Sequence, residues 1–164
     1  MQNAAAPAQA GGRSLVERLV GLLGSGQVTT AAAELEFHAQ DVYGTAILPV
    51  AVVQPDTIAA LAAAVKLVTE AGHAVVARGG GMSYTDGYLP TRATTVTIDT
   101  TRLDRVVEVN ATDRYVTVEC GVTWKALADA LAPHGLRTPY WGPLSGLRAT
   151  VGGALSQGSV FLGS

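Results

Sequence analysis

Apolar residues first recur with helical spacing. Leu15, Val16, Leu19, Val20, Leu22 and Leu23 predict a short helix, with Ser14 as its cap and Gly24 as its stop. The stretch 29–44 has no clear period. Ala51–Gln54 reads as a short strand closed by Pro55. Asp56 is placed to cap a helix to about Ala71, whose apolar face is Ile58, Leu61, Ala62, Val65 and Val68, and Gly72 ends it. Ala74–Ala77 is the next strand, and its composition predicts burial on both faces. A strand–helix–strand unit therefore delivers the chain directly into Gly79-Gly80-Gly81.

Three more strands follow a loop broken by Gly87 and Pro90: Thr95–Ile98, Arg105–Val109 and Tyr115–Glu119. The last alternates clearly, with Tyr115, Thr117 and Glu119 opposite Val116 and Val118. Asn110–Asp113 reads as the hairpin turn before it. Thr123 is placed to cap a helix carrying Trp124, Leu127, Ala128 and Leu131, which Pro133–Gly135 ends. Residues 138–146 hold prolines and glycines and read as loop. A second glycine run follows at Thr150-Val151-Gly152-Gly153-Ala154.

The chain has 164 residues, enough for one domain with a core. Apolar residues are 48% and aromatics 5%, so the core is mainly Ala, Val and Leu. A net charge of −2 gives no electrostatic case for nucleic acid or an anionic membrane. Cys120 is the one cysteine, which excludes an intrachain disulfide and a cysteine-based metal cluster and suits a cytoplasmic protein. No metal-ligand spacing joins His38, His73 and His134; the last two flank helix-ending glycines, where a cation eases the helix dipole. Residues 1–12 read as a disordered Ala-rich leader, and 1–43 as leader plus helical segment. The chain stops within a Gly/Ser-rich stretch, as a C-terminally truncated domain would.

A strand ending in Arg78-Gly79-Gly80-Gly81-Met82-Ser83-Tyr84 can curl successive amides into an anion site. A Walker loop is excluded, because no Gly-Lys-Ser/Thr triplet exists. A dinucleotide fingerprint of Rossmann type needs a third glycine where Tyr84 stands, and a helix where Gly87, Pro90 and a threonine run forbid one. Asp99 alone has the matching spacing. The plain alternatives stay open: a tight turn at Gly79–Gly81, a bulge or helix–strand junction at Gly152–Gly153, and a carboxylate partner for Arg78.

The run from Ala77 to Gly87, with its lead-in Val52-Val53-x-Pro55, resembles the first flavin loop of the vanillyl-alcohol oxidase / p-cresol methylhydroxylase (PCMH-type) FAD family. Cys120-Gly121-Val122-Thr123-Trp124-x-x-Leu127, then His134-Gly135-Leu136, is similar to its next landmark. Thr150-Val151-Gly152-Gly153 is similar to its second flavin loop. The resemblance covers about residues 44–164. It implies an α+β fold: a PCMH-type FAD-binding domain, with the first α+β subdomain and the start of the second. Arg78, Gly79, Gly80, Gly81, Met82 and Ser83 would wrap the pyrophosphate of FAD, with Tyr84 as a further residue of the cofactor site. Trp141, Gly142, Pro143, Gly146, Thr150, Val151, Gly152, Gly153, Ala154, Ser156 and Gln157 would line the ribityl chain, phosphates and isoalloxazine edge. Many members link flavin to a histidine where this chain has Met82, so FAD is expected to bind without a covalent bond.

The expectation is therefore the FAD-binding portion of an oxidoreductase. Its complete form would oxidise a small-molecule alcohol, hydroxy acid, amine or sugar by hydride transfer to flavin, with the catalytic bases on a domain beyond this sequence. This chain alone would not turn over. The alternative is a non-catalytic nucleotide- or partner-binding module, or an inactive remnant.

Overall fold

The structure, a computed structural model, describes residues 13–138 and 146–158. Helix α1 (Leu15–Leu23) starts at Ser14, whose hydroxyl accepts from the Glu17 amide while the Glu17 carboxylate accepts from the Ser14 amide. This reciprocal capping is what a serine followed three residues later by glutamate encodes. Strand β1 (Val28–Thr29) and helix α2 (Ala32–His38) occupy the stretch that has no period in the sequence. Strand β2 (Ala51–Val53), helix α3 (Ile58–Glu70) and strand β3 (Ala74–Arg78) form the expected unit. The cap of α3 is Thr57, which accepts from the Ala60 amide at 3.1 Å, and not Asp56. The Asp56 carboxylate accepts instead from Gln27 Nε2 at 3.0 Å.

Strand β4 (Thr95–Asp99) supplies the decisive topology. It enters between β2 and β3, parallel to both, and β1 closes the other edge antiparallel, giving the order β1-β2-β4-β3. Strand β3 is thus an edge strand and only half-buried, against the expectation of burial on both faces; the fully buried strand is β4. Leu19 of α1 and Ala64 and Val68 of α3 pack on Val53, Val96 and Ile98 of the sheet. All three parallel strands end on one side, so Gln54, Gly79 and Thr100 leave the sheet together. In open parallel sheets ligands bind outside these carboxyl ends.

A second core lies around Val122, Leu127, Leu131 and Val151. It joins the hairpin of β5 (Val106–Asn110) and β6 (Tyr115–Val118), helix α4 (Trp124–Leu131) and helix α5 (Val151–Ser156). Thr123 caps α4 as expected, and Gly135 ends the 3-10 turn that follows it (Ala132–His134) in the left-handed region. The fold is mixed α and β, with two separate hydrophobic cores. No described helix is long and apolar enough to cross a membrane.

Candidate functional site

The two glycine runs are in contact. A Cβ built on Gly79 would lie 2.5 Å from Thr150 Oγ1, and one on Gly80 would fall onto the carbonyl oxygen of Arg148. Gln157 Nε2 donates to the hydroxyls of Ser83 and Thr85. One residue in each pair comes from the loop after β3 and the other from the segment around α5. Gly81 has φ +67°, where an L side chain is strained.

The first run has an open hydrogen-bonding face. Among the described residues, no amide from Gly79 through Tyr84 donates to a protein acceptor. The Tyr88 hydroxyl donates to the carbonyl of Gly81 at 3.0 Å and that of Ser83 at 3.4 Å. In a planar trans peptide the N–H points opposite to its carbonyl. Holding those two carbonyls therefore turns the Met82 and Tyr84 amides away from Tyr88. The Ser83 hydroxyl is engaged within the protein, with Thr85 and Gln157. Tyr84 is 61% exposed and meets Tyr43 edge-on.

Arg78 lies beneath this loop and is 5% exposed. No ion pair engages it among the described residues. Its guanidinium donates to the carbonyl of Gln40 at 2.9 Å and sits 5.0 Å from the Phe37 ring centre and 4.7 Å from that of Tyr88. A Cβ on Gly81 would meet its Nη2 at 2.5 Å. Burial lowers the Arg78 pKa, and the charge of Arg148 acts in the same direction. The ladder partner of Arg78 is Asp99 on β4. Burial pushes the Asp99 carboxyl up, but hydrogen bonds from His38, Thr101 and Gln54 more than offset this and hold it at about 2. His38 and Asp99 thus belong to the site's foundation. The sequence offers no signal for their pairing, because they are distant in the chain and meet only when β4 enters beside β3.

The second run is a helix start. Thr150 Oγ1 accepts from the Gly153 amide at 3.2 Å and caps α5. The Val151 amide donates to Val122 O at 2.8 Å and the Gly152 amide to Cys120 O at 3.0 Å. These three amides are therefore occupied within the protein. Gly152 is small because a Cβ there would lie 2.6 Å from Cys120 Cβ. Val151 and Ala154 are buried, while Gly153, Ser156 and Gln157 are exposed. Gly146 accepts from the Lys125 amide at 3.0 Å. Trp141, Gly142 and Pro143 lie outside the described residues.

Arg148 belongs to none of the motifs that mark the site in the sequence. Its side chain is exposed, its carbonyl touches the glycine loop, and among the described residues no carboxylate pairs with it. Its charge is close enough to Arg78 to lower that group's pKa. Near the same loop, Asp86 is raised by its hydrogen bond to Asp41. No described cluster of His, Cys, Asp or Glu could hold a metal ion. The arrangement is suited to an extended anion held by amides and one cation.

Residues 49–164 match the family described as FAD binding domain. The chain is 28% identical over 152 residues to the mitochondrial D-lactate dehydrogenase (cytochrome) 1 of Saccharomyces cerevisiae, a match that covers 87% of this chain and 25% of that protein. Its fold matches alkyldihydroxyacetonephosphate synthase with a TM-score of 0.78 at 20% identity, covering 86% of this chain and 30% of the other. It matches p-cresol methylhydroxylase with a TM-score of 0.65 at 22% identity, covering 74% and 24% respectively. The chain thus spans about a quarter to a third of the length of these relatives.

Proposed function

This chain belongs to the FAD binding domain family of the p-cresol methylhydroxylase type, and from that premise we propose that Gly79–Tyr84 cradle the pyrophosphate of FAD, with Arg148 as the neutralising cation. The observation that carries this is the row of amides left without a protein acceptor in a loop that touches the Arg148–Gln157 segment. Amides at a glycine bend with one guanidinium nearby match the charge and extent of a pyrophosphate. The exposed Gly153, Ser156 and Gln157 face would border the rest of the cofactor, with Trp141, Gly142, Pro143 and Gly146 beside it. Arg78 acts beneath the loop as its prop and not as a phosphate ligand.

Met82 has no N–H to exchange for a stable neutral link as a histidine has, and on this reading the flavin is held by contacts alone. When bound, FAD supplies two-electron oxidation by accepting hydride. The role proposed for the residues assigned here is to bind and orient the cofactor. The full protein is then an oxidoreductase, and its likeness to a D-lactate dehydrogenase favours a hydroxy acid as substrate. A single cysteine, leaving no intrachain disulfide, supports the cytoplasm as its compartment.

The test is titration of the purified chain with FAD, followed by flavin fluorescence. Saturable quenching, with all flavin released into the supernatant after acid precipitation, supports the reading. A folded chain that leaves the fluorescence unchanged overturns it, and flavin retained in the pellet overturns the non-covalent assignment.

A further inference from the structure

His38 is 2% exposed, and both its ring nitrogens face oxygens that only accept. Nδ1 lies 2.8 Å from the carbonyl of Glu34 and Nε2 lies 3.1 Å from Oδ2 of Asp99. A neutral imidazole has one N–H and one lone pair, so either tautomer would aim a lone pair at one of these oxygens. Two donors exist only in the imidazolium. The charges around the ring fit this. Asp99 on β4 is ionised and takes further hydrogen bonds from Gln54, Thr101 N and Thr101 Oγ1. On α2 itself, the Glu34 carboxylate stands 3.9 Å from Nδ1. The opposing charge is Arg78 of β3, whose Nη1 reaches the carbonyls of His38 and Gln40.

The carboxyl end of α2 is thus fastened twice, by the His38 ring on Asp99 and by Arg78 on its carbonyls. Phe37 next to His38 stacks on Arg78, and Arg78 in turn supports Gly81. We propose that His38, carried as an imidazolium, is a positioning residue for the glycine loop, acting through α2 and Arg78, and that its proton is required for tight flavin binding. The second part rests on the FAD reading; the first does not. His38 lies before the span matched by the family, 49–164, so the family match gives it no role.

The experiment has one arm without flavin and one with it. In the 15N-labelled, flavin-free chain, long-range imidazole spectra are expected to show both His38 nitrogens protonated at neutral pH. Raising the pH is expected to move the amide signals of Gly79, Gly81 and Ser83 with the same midpoint as the His38 ring. A single neutral tautomer at neutral pH, or loop amides that ignore the His38 titration, overturns the proposal without recourse to any variant. In the second arm, FAD affinity of the unaltered chain is expected to fall as pH rises through that midpoint. His38→Gln is expected to bind FAD about tenfold more weakly at neutral pH and to lose this pH dependence, while His73→Gln keeps it. Equal pH profiles for His38→Gln and the unaltered chain overturn the link to flavin. A chain that binds no FAD at any pH defeats the functional reading as well, while the flavin-free arm still decides the role of His38.

Discussion

Gly80 and Arg148 meet backbone to backbone: the space a Cβ would take at Gly80 is filled by the Arg148 carbonyl oxygen. That contact fixes the spacing between the amide loop and the α5 segment. Backbone on this side cannot yield as a flexible side chain would, so Gly80→Ala must push the loop off Arg148. The expected outcome is a loss of FAD affinity of tenfold or more, at a stability cost of about 1–3 kcal/mol for an overpacked contact. Gly87→Ala is the control, because its Cβ would meet only Thr85 Oγ1 at an ordinary 3.6 Å. It is expected to stay within about 0.5 kcal/mol and to keep its affinity. Urea denaturation and flavin titration of both variants check this.

Tyr88→Phe removes one hydroxyl and keeps the ring over Arg78. The Gly81 and Ser83 carbonyls then lose their donor. A neutral hydrogen bond is worth about 1 kcal/mol, so the stability loss is expected to be of that size. The Met82 and Tyr84 amides would lose their fixed direction, and FAD affinity is expected to fall several-fold. Unchanged affinity in a destabilised variant would show that the loop does not need these anchors.

Much of this architecture was legible in residue order. Ser14 with Glu17, Thr123, and Gly72 behind a long apolar face mark element ends by local chemistry, and local chemistry survives folding. The two glycine runs, which the family resemblance assigns to one cofactor, also lie in contact, although only the first has open amides. What the sequence did not reveal depends on partners chosen by topology. Strand β3 reads as buried because Ala74–Ala77 is apolar, yet β4 takes the central place. Asp56 and Thr57 are both good caps, and which one serves depends on where Gln27 sits. Gly152 and Gly153 leave a bulge or a helix–strand junction open in the sequence, and Thr150 with the carbonyls of Cys120 and Val122 decides for a helix start there. Arg78 next to a glycine loop suggests a phosphate ligand, and only the fold shows its guanidinium turned inward under Gly81.

Arg148→Ala separates charge from loop shape. The carbonyl that meets Gly80 is kept, and the exposed side chain carries no ion pair among the described residues. Stability is expected to change by less than about 0.5 kcal/mol. FAD affinity is expected to drop about tenfold, and its salt dependence to weaken, since one cation facing the pyrophosphate is gone. If affinity and salt dependence both stay as they were, the cation for the pyrophosphate lies elsewhere.

Asp99 sets the acid limit of the fold. Its carboxyl titrates at about 2 in the native state against 3.8 for the ordinary group. A depressed native value means that the ionised form favours folding. The contribution is therefore complete above about pH 4 and is lost as pH falls towards 2. For a carboxyl this buried the shift corresponds to on the order of 2 kcal/mol. Glu119 and Asp41 are also lowered, by Arg105 and by loop amides respectively, and add to the same acid limb. Asp99→Asn isolates the one group. At neutral pH it is expected to be less stable than the unaltered chain by on the order of 2 kcal/mol, because His38 would face a neutral amide. The gap is expected to close as the unaltered chain is taken from pH 4 to pH 2. Urea midpoints measured across that range decide the matter. A gap that stays constant with pH would mean that Asp99 stabilises the sheet by packing and not by its charge.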